Sequence, residues 1–393
     1  MNPDRFQDPS ARQLVKVREG NLAYWAYVPH PLPPKIEPDW ALTHILSEAE
    51  RALGELAGVG RTMPNPHLLI GPFIRREAVL SSRIEGTRAD VTDLYAYQAG
   101  QLSLPGMTPA PSEADVREVH NYVQALEYGL ERLETLPVSL RLIREIHQHL
   151  LQGVRGERAT PGEFRDRQNW LGRGDCTLED ATFVPPPVPQ MRDALYALEE
   201  YLHSDDDYPP LVRLAMMHYQ FEVIHPFIDG NGRVGRLLIS LLLVKWGLLP
   251  QPLLHLSAFF FRHRQDYYDL LLAVSRQGGW TDWLSFFLRG VAEQSHDAVT
   301  RARRLQDLRA DWHDQLTGTR VSALALQLVD HLFDSPVITI PQAQEALGVT
   351  YRTAQRHIQG LVDAGILHQA GDADYGRTFV AGEILAVLGA DSV

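Results

Sequence analysis

Apolar residues three and four positions apart outline a series of helices along this chain. Trp40, Leu42, Ile45, Leu46, Ala49 and Leu53 form one amphipathic face, after an extended Pro-rich stretch from Tyr27 to Pro34. A turn from Met63 to Pro66 leads to a second helix through Ile74, Ala78, Val79, Ser82 and Ile84, which Gly86 stops. Two more helices are expected between about Ser112 and Leu151. His147 and His149 on the second of these lack acid or cysteine partners at zinc-site spacing, so they read as structural or surface residues. The run from Leu237 to Leu249 is broken only by Ser240, Lys245 and Gly247, the mark of a buried helix. Trp280 and Trp283 read as core. Near the C-terminus, Leu324–Phe333 predicts a helix, and residues 341–367 predict a helix-turn-helix with Gly348 at its tight turn. There Tyr351–Ala364 is the recognition-type helix, and His368-Gln369 with Thr378–Val380 supply a wing.

Composition narrows the setting. The chain has 393 residues, enough for two or three domains, with 45% hydrophobic and 22% charged residues, the balance of a soluble globular protein. A net charge of −12 argues against general affinity for nucleic acid or anionic membranes. One cysteine, Cys176, rules out an internal disulfide and suits a reducing compartment. The first residues are polar, without an apolar signal core, and no stretch reaches the roughly 20 apolar residues of a membrane span. A cytoplasmic protein with no membrane partner is expected.

The densest chemistry lies in HPFIDGNGRVGR, His225 to Arg236, immediately before the buried helix. A helix N-terminus offers main-chain N–H groups and a partial positive charge to an anion, a phosphate above all. Gly230 and Gly232 permit close approach of a phosphate to the backbone, and Asn231 caps the helix or steadies the loop. Asp229 is a hard oxygen ligand of the kind Mg²⁺ shares with substrate phosphates. Arg233 and Arg236, three apart, share a helix face and can clamp successive phosphates. An unperturbed histidine has a pKa near neutrality, so His225 can take a proton from an attacking hydroxyl. Pro226 and Phe227 fix the loop, with Phe227 buried beneath it. Eight such specified positions together would arise by chance in on the order of one chain in 10⁸ of this length.

At these residues the chain resembles the Fic family, whose signature HxFx(D/E)GNGRxxR it matches at every defined position. The resemblance implies a mainly α fold: a Fic-type helical core with a short β-hairpin flap, an N-terminal helical cap and a small α+β winged-helix domain. It places an N-terminal domain with an inhibitory helix at 1–110, the core at 111–300, a linker helix at 301–320 and the winged-helix-like domain at 321–393. It also implies transfer of AMP from ATP, with Mg²⁺, to a Tyr, Thr or Ser hydroxyl of a target protein, self-modification included. By position His225 resembles the general base and Asp229 the metal ligand. Gly230, Asn231 and Gly232 resemble the anion hole, and Arg233, Val234, Gly235 and Arg236 continue the nucleotide-binding turn. The intact Gly-Asn-Gly-Arg run favours nucleotidyl transfer over the phosphorylating, Doc-type branch; a phosphocholine-transferring branch also shares the scaffold.

Further segments extend the resemblance. Ser81, Glu85 and Gly86 fit the family's inhibitory pattern (S/T)xxxE(G/N), which implies that Glu85 pairs with Arg236 and blocks the γ-phosphate. A glutamate in a helix's last turn is repelled by the helix dipole, which itself points to a basic partner. Residues 160–172 and 181–189 resemble recurrent Fic segments. The second corresponds to the flap, with Asp180, Ala181, Thr182, Phe183 and Val184 facing target or nucleotide through main-chain pairing. Tyr267, with Tyr268 beside it, falls where relatives contact adenine or ribose. Residues 321–393 hold three arginines, no lysine and eight acids, a net of −5 and a poor footprint for DNA. Protein docking or homodimer formation is therefore favoured there over DNA binding by Arg352 and Arg356. Two alternatives stand beside the transferase: a transcriptional regulator working through the winged helix, and removal of AMP by the same site.

Overall fold

The computed structural model describes residues 1–7, 14–19, 22–37, 39–62, 67–100, 111–154, 160–172, 176–317, 322–371 and 376–389. The expected turn at Met63–Pro66 lies outside them. Helices dominate. In chain order the elements are β1 (Leu14–Glu19), β2 (Leu22–Tyr27), α1 (Trp40–Thr62), α2 (His67–Ile84), α3 (Val91–Gln98), α4 (Glu113–Arg132) and α5 (Leu140–Leu150). Then follow α6 (Val188–His203), α7 (Pro210–Ile224), α8 (Asn231–Lys245), α9 (Ser257–Arg262), α10 (Arg264–Gln277) and α11 (Trp280–Thr317). The C-terminal elements are α12 (Ala323–Asp334), β3 (Val337–Thr339), α13 (Ile340–Leu347), α14 (Tyr351–Asp363), β4 (His368–Ala370), β5 (Thr378–Val380) and α15 (Gly382–Gly389).

The residues fall into two compact units. One comprises Met1–Gly54, Gln124–Leu248 and Phe259–Ser295; the other comprises Glu55–Val123, Leu249–Ala258 and His296–Val393. In the first unit α8 is the core. Val234, Leu237, Leu238, Ile239, Leu241, Leu242 and Leu243 are all at most 1% exposed, so the helix is apolar on every side and packs against α5 and α7. Small residues set those distances. A Cβ on Gly129 of α4 would lie 3.0 Å from Leu241, and one on Gly235 of α8 would lie 3.2 Å from the Phe221 ring.

Helical periodicity did not announce the N-terminal hairpin. β1 and β2 pair antiparallel with Leu14 opposite Tyr27 and Glu19 opposite Leu22. Tyr24 and Ala26 bury one face, as two-residue alternation requires. The β2 end is tied inward through Tyr27, whose N–H donates to Val184 O at 2.9 Å.

In the second unit, α2 ends at Ile84 and Gly86 takes φ +101°, a backbone only glycine adopts without strain. The C-terminal elements build the expected small α+β arrangement. α13 starts with a reciprocal Thr339–Gln342 capping box and ends at Gly348 in the left-handed region; α14 starts at a Thr350 cap. The three short strands pair antiparallel in the order β3-β5-β4. No helix among the described residues is long and apolar enough to cross a membrane.

Candidate active site

The signature loop joins two buried helices, and the backbone turns sharply at both ends of it. α7 closes with His225 N–H donating to Phe221 O, and His225 itself sits in the left-handed region at φ +47°, ψ 61°. A non-glycine residue rarely adopts that conformation, so the surroundings must hold it there. Gly230 makes the second turn at φ +80°, and α8 begins at Asn231 without a side-chain cap. Asn231 works on the loop instead: its Oδ1 accepts from Phe227 N and its Nδ2 donates to Phe227 O, both at 2.8 Å. That reciprocal pair locks the loop across four residues, and Phe227 is fully buried below it as expected.

The His225 ring has a defined proton position. Nδ1 lies 3.1 Å from Glu222 O, and a carbonyl only accepts, so Nδ1 carries the hydrogen. In the neutral ring Nε2 then holds the lone pair, the form a general base needs. Asp229 keeps 45% of its side chain exposed; Oδ1 accepts from Gly230 N at 2.6 Å and faces Arg233 Nη2 at 3.5 Å. Arg233 and Arg236 are buried, at 3% and 2% exposure, on the first turns of α8 with Val234, whereas Gly232 is partly open. Thus His225, Asp229 and the whole run from Gly230 to Arg236 share one loop and one helix start.

Three residues outside the signature complete this site, and sequence reasoning assigned none of them a role in it. His147 of α5 stacks on Phe227, ring centroids 3.7 Å apart and nearly parallel. Its Nε2 lies 3.0 Å from Asp229 O and must donate to it, while Nδ1 accepts from Gly162 N at 2.9 Å. Burial pushes its pKa down to about 4, so it is a neutral strut. Arg165 donates from Nε to His225 O at 2.9 Å and from Nη2 to Pro186 O at 2.5 Å. Asn169 donates from Nδ2 to Phe227 O at 2.9 Å and to His225 O at 3.4 Å. Their one sequence signal was the segment 160–172, whose resemblance to Fic proteins singled it out without assigning roles.

The remaining expected residues sit as follows. Tyr267 is 1% exposed, and its hydroxyl lies 2.8 Å from His218 Nε2. His218 Nδ1 lies 3.3 Å from Gly235 O and donates to it, so Nε2 accepts from the tyrosine. His218 is buried, and burial with the Arg236 charge brings its pKa down to about 3. Tyr267 therefore braces the start of α8 from below, and Tyr268, 40% exposed, is the open one of the pair. Trp283 is core, fully buried with Nε1 donating to Ala215 O.

Among the described residues, the flap segment pairs through one antiparallel bridge, Leu171 with Phe183, made by Leu171 N to Phe183 O at 2.8 Å and Phe183 N to Leu171 O at 3.1 Å. Asp180 and Thr182 are exposed, whereas Ala181, Phe183 and Val184 turn into the interior. The inhibitory-pattern residues belong to the other compact unit. Ser81 is fully buried in the last turn of α2, and Glu85 is exposed in the turn just beyond the helix, next to Gly86.

Known proteins give the same reading of this architecture. Residues 43–131 match the Fic/DOC family N-terminal domain and residues 137–243 the Fic/DOC family domain. A protein adenylyltransferase Fic of Nematostella vectensis is 29% identical over 195 residues, 49% of this chain and 41% of the relative. A probable protein adenylyltransferase of Aquifex aeolicus is 32% identical over 134 residues, 34% of this chain and 36% of the relative. This chain thus spans less than half the length of these curated relatives. In fold it is similar to a Fic family protein from Desulfovibrio desulfuricans G20, with a TM-score of 0.58 at 20% identity over 89% of this chain and 98% of that one. With both family domains in sequence order and the full signature loop between α7 and α8, this chain belongs to the Fic/DOC family.

Proposed function

We propose that this chain transfers the AMP part of ATP to a hydroxyl of a protein. The observation that carries the reading is the His225 ring, whose Nδ1 is committed to Glu222 O, at the mouth of a Gly-Asn-Gly helix N-terminus. The target oxygen attacks the α-phosphorus while its proton passes to His225 Nε2. The bond from that phosphorus to the bridging oxygen of the β-phosphate breaks, and pyrophosphate leaves. Main-chain N–H groups of the first turn of α8 and the Arg233 and Arg236 guanidinium groups oppose the phosphate charge. The adenylyltransferase names of the relatives above support the choice of nucleotidyl over phosphoryl transfer.

The residues present fit Mg²⁺. Among the described residues no cluster of three His, Cys, Asp or Glu could cage a metal. Asp229 offers a single, half-open carboxylate beside the anion site, the arrangement Mg²⁺ takes when phosphates and water complete its shell. Asp229 would hold the ion there, and the ion would supply charge neutralisation for the phosphates.

His225→Ala should abolish labelling by α-labelled ATP, and γ-labelled ATP should label nothing in the parent. Undiminished α-labelling by the variant, or γ-label transfer by the parent, defeats the assignment. We also propose Glu85 as a restraint on the reaction, acting on Arg236 as the Ser81–Gly86 pattern implies. Glu85→Gly should then raise labelling, self-modification included, and an unchanged rate would remove that role.

A second reading concerns the C-terminal elements, which we take as a winged helix. Exposed on α14 are Tyr351, Arg352, Arg356 and Gln359, with no acid before Asp363. Two of the acids behind the net −5 are already paired, Asp330 with Arg309 and Asp334 with Arg75. Local charge on α14 is therefore less hostile to DNA than the segment total. Duplex binding that weakens steeply with salt and is lost in Arg352→Ala/Arg356→Ala supports this reading; its absence leaves docking of protein or of a second copy.

A further inference from the structure

We propose that Arg165 and Asn169 are positioning residues that hold the His225 backbone in its left-handed turn and so set the proton position of its ring. The inference rests on the proposed base role of His225 for its catalytic consequence, not for its structural content.

Four consecutive carbonyls, from Ile224 to Phe227, are gripped by one short segment. Arg165 Nε donates to His225 O at 2.9 Å, and Nη2 reaches Ile224 O at 3.5 Å. The Arg165 backbone N–H donates to Pro226 O at 2.9 Å. Asn169 Nδ2 donates to Phe227 O at 2.9 Å and His225 O at 3.4 Å. These carbonyls belong to the end of α7 and the loop beyond it, where helix termini leave acceptors without intrahelical donors. His225 is also one of only two non-glycine residues with positive φ among the described residues. An L-residue in that region relaxes toward negative φ unless its carbonyl and those flanking it are held.

The consequence reaches the ring. Nδ1 touches Glu222 O, three residues back, only while the backbone turns at His225 in this way. If the turn opens, Nδ1 loses its acceptor and the neutral ring is free to carry hydrogen on Nε2, which cannot then accept a proton. Arg165 also binds Pro186 O, just past the flap bridge, so one guanidinium registers the base loop against the flap segment. Arg165 is 1% exposed, and its charge is spread over main-chain carbonyls. Lysine, with one compact ammonium, cannot span Ile224 O, His225 O and Pro186 O together.

The test uses the full chain, with imidazole ¹⁵N and ¹³C spectra assigned by difference from His225→Ala. In the parent, His225 should show the Nδ1–H tautomer. In Asn169→Ala and Arg165→Lys it should shift toward Nε2–H or exchange broadening, while His147 keeps its Nε2–H signal. Asn169→Ala removes a single side-chain amide from a partly buried residue, so it reports even if Arg165→Lys folds poorly. In the transfer assay kcat should fall about 10- to 100-fold with KM for ATP nearly unchanged, as expected for a misaimed base, and Asn169→Gln should recover part of the loss. A parental tautomer and parental kcat in Asn169→Ala and in folded Arg165→Lys overturn the proposal. A shifted tautomer in a chain that transfers nothing, before or after substitution, instead upholds the positioning role and defeats the transferase reading.

Discussion

Buried neutral histidines make this protein sensitive to acid. His147 has its pKa pushed down to about 4, and His218 and His255 to about 3, each chiefly by burial. Unfolded, each takes up a proton near pH 6.5; folded, it does not until well below pH 5. The unfolded chain therefore binds more protons across that window, and stability rises with pH. The histidine contribution is complete above pH 6.5 and is lost as pH falls toward 4. Asp93 works the other way, since burial raises its carboxyl to about 6, but it is one group against three. Tm should fall steadily from pH 7 to pH 5, and His147→Asn should flatten part of that slope while lowering Tm at pH 7 for lack of the Phe227 stack. A Tm independent of pH over that range would mean that these rings are protonated in the folded state. At this scale the sequence singled out His225 and Asp229 and hid the side chains that hold their loop. His147 looks like any helical histidine, because only the fold brings Asp229 O and Gly162 N to its two nitrogens.

Elements follow the apolar pattern where burial is one-sided or complete and depart from it where pairing is long-range. The apolar run from Leu237 lies in α8, which stops at Lys245 short of the expected Leu249, and the capping residues and Gly348 set the bounds of α13 and α14. The β1–β2 hairpin was missed although Val15, Val17, Tyr24 and Ala26 alternate around Gly20-Asn21 in the sequence, a two-residue turn signal. In the flap, prolines 185 to 187 have no N–H to donate, so the described pairing stops at the Leu171–Phe183 bridge. Close helix packing gives a prediction at this scale. Gly290 of α11 faces Phe259 of α9, and a Cβ there would fall 2.7 Å from the ring. Alanine would gain about 1 kcal/mol of helix propensity. Forcing the ring aside among Phe260, His263 and Phe286 costs typically about 1–3 kcal/mol. Overpacking wins, so Gly290→Ala should lower the denaturation midpoint with an unchanged m-value. A stabilised variant would show that the Phe259 ring has somewhere to go.

At the scale of the whole molecule, helix α2 and the C-terminal elements belong to one compact unit. Arg75 of α2 pairs with Asp334 at the end of α12 at 3.4 Å, and Arg76 with Asp297 of α11 at 3.6 Å. Gln342 of α13 donates to Gln98 O at the end of α3, and α15 packs on both α2 and α3. Arg301 binds the carbonyls of Val387 and Leu388, fastening the end of α15. Exposed ion pairs contribute little, but these lie beside the packing of α12 and α15 against α2. A chain ending at Thr317 should therefore not behave as one that has lost an independent module. Its amides across residues 69–84 should exchange faster than in the full chain, and its Tm should drop by several degrees. If Glu85 restrains transfer, loosening the helix just before it should also raise α-ATP labelling in the truncated chain, and Asp334→Ala should do so more weakly. Unchanged exchange over α2 would show that the C-terminal elements lean on this helix without supporting it. Faster exchange with unchanged labelling would keep the mechanical link and separate it from control of the reaction.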